Sequence, residues 1–474
     1  MDIFMRDSDA FSWYMERDPI LRSTVVAIAW LEKSPDWDDL VSRVDQATRL
    51  IPMFRQRVLE PPGRLATPRW TFDHDFDLSW HVRRIEAPSP HTADTVVEFA
   101  RQEAMSAFDR SRPLWSFTLI EQLEDGRAAF VMKLHHSLTD GIGGMQLALL
   151  LFDVEPAAAR SAVLADVPVA EELDTAHLVR ESLSWGMTRV SGFVSERAWT
   201  AIPAAVHVAG WPLRSAAAAL DAAGSVARTV APVRQTLSPI MQGRGLRRQL
   251  DLLEVDLGDL KRAAATVGGT VNDGFMAGVT GGLRRYHEHH GATVGNLRVT
   301  LPISIRTRDD PLGGNRITLM RFAVPVADSD PATRIPEIGR LCRRAQRERS
   351  LEFTNAIAGS LNLLPRSVVG AMLKHVDFLA SNVPGFAFPI YLGGSRVERY
   401  TAFGPTIGAS VNLTLLSYDG TCCIGVTLDS AAVPDREVFL ACLSEGFEEV
   451  LALGGDHAAP RMPLHAPAMA GQRR

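Results

Sequence analysis

Two stretches of this chain alternate strand-like with helix-like runs, and an alanine-dominated stretch, residues 156–235, lies between them. Alternation of this kind lays helices on a sheet, so each stretch reads as α/β. The first stretch opens with STVVAIAWLE (23–32), a strand rich in β-branched residues. In DWDDLVSRVDQATRL (36–50), Leu40, Val41, Val44 and Ala47 share one helical face. HVRRIE (81–86) reads as a short strand and ADTVVEFARQEAMSAF (93–108) as a helix. Two apolar strands follow, LWSFTLIEQL and RAAFVMKL, and then GGMQLALLLFD, whose Leu147, Leu150 and Leu151 mark a buried helix. The pattern resumes at residue 249 with the strand QLDLLEVDL, the helices DLKRAAATVG and VNDGFMAGVTGGLRRYHEH, the strands NLRVTLPISI and RITLMRFAVPV, and a basic-faced helix, ATRIPEIGRLCRRAQRER. SVVGAMLKHVDFLA (367–380) reads as a helix and SNVPGF as a loop, before three more strands and a closing helix.

At 474 residues the chain exceeds what one hydrophobic core serves, and 46% hydrophobic against 22% charged residues excludes a disordered or fibrous chain. The expected organisation is a first domain over 1–155, a helical connector over 156–248, a second domain over 249–456 and a disordered tail over 457–474. Pro203, Pro212 and Gly224 prevent the connector from being one straight helix. It is either a packed or solvent-bridging connector or an amphipathic surface that touches lipid. A net charge of −5, from 50 basic and 55 acidic residues, is too balanced for a dedicated nucleic-acid binder. Cys342, Cys422, Cys423 and Cys442 lack C-x-x-C spacing, which argues against a zinc or disulfide framework and for a reducing, cytoplasmic setting. The acidic N-terminal segment does not read as a secretory signal, and no window reaches the ~20 apolar residues that span a bilayer. A soluble or peripheral protein is expected.

The densest chemistry is His135-His136-Ser137-Leu138-Thr139-Asp140-Gly141, at the junction of an apolar strand and an apolar helix. Imidazole titrates near neutrality and suits removal of a proton from an alcohol, while an Asp four residues on can cap the helix and fix the turn. Taken alone, such a pair is as compatible with a structural role as with catalysis. Adjacent histidines rarely converge on one ion, and no third ligand stands nearby, so a metal site is not expected. Ser137 lacks a G-x-S-x-G context, which disfavours a Ser-His-Asp hydrolase, and no G-x-x-x-x-G-K-[ST] phosphate loop occurs.

HHxxxDG is the signature of the CoA-dependent acyltransferase superfamily, which includes chloramphenicol acetyltransferase and the condensation domains of peptide synthetases. Within it, the chain resembles the bacterial wax ester synthase/diacylglycerol acyltransferase family over most of residues 5–450. Asp9-Ala10-Phe11, Ile51-Pro52-Met53-Phe54-Arg55-Gln56-Arg57 and Trp70…Asp75-Phe76-Asp77-Leu78…His81-Val82 follow in that family's order. So do Arg112-Pro113-Leu114-Trp115, Thr270-Val271-Asn272-Asp273 and Ser381-Asn382-Val383-Pro384-Gly385. Ser116 and Phe386 depart from residues common in the family, which bears on substrate preference more than on reaction class.

The resemblance implies two chloramphenicol-acetyltransferase-like α/β (α+β sandwich) domains, each a mixed sheet flanked by helices, with the active site at their interface. It makes His136 the general base, His135 a packing or orienting partner, and Asp140 a structural carboxylate paired with an Arg. Gly141 would let the backbone turn tightly beside the site. Pro113, Leu114 and Trp115 would border the substrate channel, although core packing is the simpler reading of a Trp. Asn272 and Asp273 would face the site from the second half, or else cap a helix. The implied reaction moves a long-chain fatty acyl group from acyl-CoA, a substrate, to diacylglycerol or a long-chain alcohol, with no metal or other cofactor. The expected partners are those substrates and a lipid surface or lipid droplet touched peripherally. An acyltransferase or condensation-type enzyme acting on a small or carrier-bound acceptor, and a lipid-binding paralogue without activity, are the alternatives.

Overall fold

A computed structural model describes residues 4–156, 166, 177–185, 235–306, 314–315, 317–348, 358–359, 362, 370 and 373–463. The readings made at Pro203, Pro212 and Gly224 lie outside the described residues, as do residues 464–474. The first half supplies α1 (Asp7–Met15), β1 (Thr24–Leu31), α2 (Trp37–Leu50), a ribbon of β2 (Gln56–Leu59) and β3 (Arg69–Phe72), the single turn α3 (Leu78–His81), β4 (Val82–Glu86), α4 (Ala93–Met105), β5 (Trp115–Glu121), β6 (Ala128–His135) and α5 (Gly141–Leu151). The second half supplies β7 (Arg248–Asp256), α6 (Leu257–Ala265), α7 (Val271–His289), β8 (Asn296–Ser304), β9 (Ile317–Pro325), α8 (Pro331–Gln346), β10 (Phe378–Phe386), β11 (Tyr391–Leu392), β12 (Ser395–Phe403), β13 (Val411–Tyr418), β14 (Thr421–Asp429) and α9 (Arg436–Leu451).

These strands form two six-stranded mixed sheets, in the orders β11-β12-β1-β6-β5-β4 and β7-β14-β13-β10-β8-β9. Every residue of β6 is buried, Lys133 included, which explains why its apolar residues do not alternate with polar ones: the strand is covered on both faces. β11 and β12 come from the second half yet complete the first sheet, with Val26 facing Phe403 and Ala29 facing Tyr400 across an antiparallel ladder. Sheet membership therefore departs from the domain boundary expected at residue 249. The added strands pair with an edge of β1 that would otherwise expose unpaired peptide groups.

Two expectations about local structure give way. Phe378–Ala380, read as the end of a helix, and SNVPGF, read as a loop, together form β10. β10 runs parallel to β13 and, at Phe378 and Leu379, to β8, and its Ser381, Asn382, Pro384 and Gly385 give neither an apolar run nor a strand-like composition. Pro384 fits because the register against β13 shifts between Val383 and Phe386, where an absent N–H is tolerated. In the stretch read as a disordered tail, Arg461 exchanges backbone hydrogen bonds with Glu254 of β7, at 2.8 and 2.9 Å.

The two sheets meet where β12 packs on β14, and Phe403, Cys423, Leu250 and Leu252 share one buried cluster there. A Cβ at Gly425 would run into the carbonyl oxygen of Ala402. Gly425→Ala must push the strands apart, and overpacking of this kind costs about 1–3 kcal/mol. Urea unfolding of the variant should show a loss of that size.

Candidate active site

β6 ends at His135 and α5 begins at Gly141, so the HHSLTDG turn spans the gap between strand and helix. Flanking strands pin it: the His135 N–H donates to the Leu114 carbonyl at 3.0 Å and the His136 N–H to the Ser23 carbonyl at 2.9 Å. His136 lines a predominantly apolar cavity of about 280 Å³ between the halves. Val25, Ala27 and Leu134 line it from the first half, Leu379, Val383 and Leu416 from the second. The ring's Nδ1 is buried against the residue's own backbone, which leaves Nε2 as the nitrogen able to meet a substrate. Burial pushes the imidazole pKa below its ordinary value, opposed by the ring's hydrogen bond to its own backbone and by the Asp140 carboxylate. A neutral, proton-accepting ring near neutral pH results.

Asp140 caps α5, its Oδ1 accepting the Gly143 N–H at 2.7 Å. Its Oδ2 lies 3.1 Å from Arg306 Nη2, and both side chains are almost wholly buried. Arg306 follows β8, so this ion pair joins the two halves. Arg306 also donates to the Gly314 carbonyl at 2.7 Å, and the Gly314 N–H donates to the Leu138 carbonyl at 2.8 Å. Gly141 has no positive φ; the expectation of a tight turn there is replaced by one of close packing. A Cβ on Gly141 would lie 2.8 Å from Cγ2 of Val383, so the glycine brings α5 against β10.

His135 is fully buried, edge-on to Trp13 and Phe108 at centroid distances of 6.2 and 5.9 Å. Its Nδ1 accepts the Ser137 N–H at 3.1 Å and lies 2.7 Å from the Ser137 hydroxyl, so the ring hydrogen sits on Nε2. That nitrogen is 3.4 Å from Oε2 of Glu16, which also accepts the Ser23 N–H at 2.8 Å. Burial opposes the charge of Glu16, but the His135 ring, the Ser23 N–H and Arg22 outweigh it and hold the carboxyl below the usual range. The Glu16–His135–Ser137 arrangement has the connectivity of a hydrolytic triad, yet Ser137 is fully buried and does not line the cavity. It braces the peptide that carries His136.

Pro113, Leu114 and Trp115 are buried beside the turn and do not line the cavity. The Trp115 Nε1–H donates to the Phe54 carbonyl at 2.7 Å, and its ring stacks on His81 at 4.5 Å, with Phe76 stacked beyond at 5.3 Å. Burial pushes His81 down to about 4, so it stays neutral in the stack. This stack links three of the family-like segments into one core. Asp273 is committed to the N-terminus of α7, where it and Thr270 form a reciprocal cap, and neither it nor Asn272 lines the cavity. Asn272 Oδ1 lies 3.5 Å from Asn382 Nδ2, which joins the Asn-Asp and SNVPG segments. Sequence reasoning missed Glu16, Ser23 and Arg306. Glu16 follows the Asp9-Ala10-Phe11 segment closely, whereas Arg306, 166 residues from Asp140, carries no local signal.

Asp140→Ala removes both the helix cap and the partner of a buried guanidinium. Breaking a buried ion pair from one side costs about 3–5 kcal/mol. Tm and acyl transfer should fall together; an unchanged Tm with activity lost would mean that the carboxylate contacts substrate.

Comparison with known proteins agrees with this geometry. The profile of the wax ester synthase/diacylglycerol acyltransferase catalytic domain matches residues 5–275, and that of the family's C-terminal domain matches residues 313–450. A Mycobacterium tuberculosis protein that carries the name of a diacylglycerol O-acyltransferase is 34% identical over 451 residues, covering 94% of this chain and 91% of its own length. The wax ester synthase/diacylglycerol acyltransferase of Marinobacter aquaeolei superposes with a TM-score of 0.63 at 20% identity, covering 95% of this chain and 100% of that one. The first condensation domain of the calcium-dependent antibiotic synthetase shares the fold, with a TM-score of 0.62 at 14% identity over 96% and 97% of the two chains. With an ion pair that joins the halves beside a cavity-lining histidine, and with these matches along nearly its full length, the chain belongs to the wax ester synthase/diacylglycerol acyltransferase family of acyl-CoA-dependent O-acyltransferases.

Proposed function

We propose that this protein transfers a long-chain fatty acyl group from acyl-CoA to diacylglycerol or a long-chain alcohol, with His136 as general base. The observation that carries the reading is a neutral imidazole set in the wall of an apolar cavity, with Nε2 free to meet a substrate. Nε2 takes the acceptor's hydroxyl proton as the oxygen attacks the thioester carbonyl carbon. A C–O bond forms, the C–S bond then breaks, and the departing sulfur recovers the proton from the imidazolium. The products are an ester and free CoA, with the histidine neutral again. No covalent enzyme intermediate, metal or further cofactor enters this reaction.

The apolar lining favours long chains, since each buried CH₂ contributes ~0.8 kcal/mol. The acceptors are insoluble, so the cavity must open close to a lipid surface, and α5 supports that reading. It carries no charged residue and lines the cavity with Met145, Ala148 and Leu151, yet it leaves Ile142 and Leu149 exposed, the latter at 58%. Exposed apolar side chains on a cavity-lining helix suit peripheral contact with lipid.

Radiolabelled palmitoyl-CoA supplied with diacylglycerol or with hexadecanol tests the reading by product. Triacylglycerol or wax ester should form, and His136→Ala should lower turnover by ~10²–10⁴-fold with the fold intact. Transfer only to a small or carrier-bound acceptor would overturn the proposed substrate class. More than a tenth of wild-type turnover in the variant would overturn the role of His136.

A further inference from the structure

A second cavity, of about 420 Å³, lies where β1 begins and β12 ends. Thr24 lines it, whereas Ser23 and Val25 line the catalytic cavity, so the two cavities lie on opposite faces of β1. Gly404 and Pro405 line both, so the cavities meet around the end of the first sheet. The mouth is basic. Arg22, Arg247 and Arg248 line it, and no acidic residue does among the described residues.

The three guanidinium groups differ in how they are held. Arg22 donates to the Met105 carbonyl and lies 3.9 Å from Glu16. Arg248 pairs with the buried Asp429 at 3.1 Å. The Arg247 residue is exposed and its guanidinium makes no hydrogen bond or ion pair among the described residues, although its charge is felt by Glu98 on α4. One free cation thus stands at a rim that two anchored ones shape. The rim adjoins the site, because Ser23, between Arg22 and Thr24, supplies the carbonyl that holds the His136 N–H.

An acyl-CoA joins a long apolar chain to a nucleotide bearing several phosphates. The catalytic cavity offers the apolar half of what such a molecule needs, and the second cavity offers cations beside a wall the two share. We propose that the second cavity binds the phosphorylated nucleotide end of the acyl donor, with Arg247 as its ion-pairing cation and the thioester reaching His136 past Gly404 and Pro405. The proposal rests on the acyl-CoA reading above.

Palmitoyl-CoA and palmitoyl-pantetheine, which lacks the nucleotide, separate this role from the chemistry. A charge-assisted contact is worth enough that Arg247→Glu should lower kcat/KM for palmitoyl-CoA about tenfold more than for palmitoyl-pantetheine. Arg247→Lys, which keeps the charge, should recover most of the difference. Calorimetric binding of adenosine 3′,5′-bisphosphate needs no turnover, and R247E should weaken it about tenfold as well. Nucleotide binding that depends on Arg247 without acyl transfer from either donor would sink the acyltransferase reading and leave the phosphate site standing. Equal losses with both donors, or unchanged nucleotide binding, would overturn the site. Loss of co-sedimentation with phosphatidylglycerol vesicles at unchanged nucleotide affinity would assign Arg247 to lipid headgroups and likewise overturn it.

Discussion

The Asp140–Arg306 ion pair is the contact on which the active-site geometry depends. A carboxylate and a guanidinium that are both removed from water are tolerable only as partners with their remaining hydrogen bonds filled. Here Asp140 also caps α5, Arg306 donates to the Gly314 carbonyl, and the Gly314 N–H donates to the turn's Leu138 carbonyl. One residue pair therefore sets where α5 starts, how the histidine-bearing turn is held, and how the second half lies against the first. His136 sits inside that frame, its own N–H held by the Ser23 carbonyl.

The second constraint is the exchange of strands. The first sheet is complete only with β11 and β12, and the core under it draws in Phe386, Tyr400 and Leu416 from the second half. The cavity wall is built in the same way, with β1 and β6 facing β10 and β13. Neither half encloses the cavity alone. Small residues such as Gly141, in the cavity wall, and Gly425, where the sheets meet, then matter because they set how closely elements from the two halves approach.

Much of this was legible in sequence, and the boundary of legibility is physical. Helices and strands with clean periodicity, such as α2 and β1, lie within a residue of their expected ends. Adjacent Cys422 and Cys423 do point into different clusters, as alternation on a strand requires. The HHSLTDG turn could be found because its residues are contiguous. β10 escapes a sequence reading because its Ser, Asn, Pro and Gly are residues that strands disfavour, and the β12 crossover because pairing partners leave no local mark. Arg306 was invisible for the same reason. For Trp115 and Asp273 the simpler reading, packing and helix capping, describes what the side chains touch.

The central claim is that His136 works as a neutral base held ready by burial. The pH dependence of kcat/KM tests it most directly. Burial lowers the folded-state pKa, so the base stays unprotonated as pH falls through 6.5, the ordinary histidine value, and is lost only below it. The acid limb of the profile should accordingly lie below pH 6.5, and the residual activity of His136→Ala should lack it. An acid limb centred above pH 6.5, or one that persists unchanged in the variant, would contradict the account.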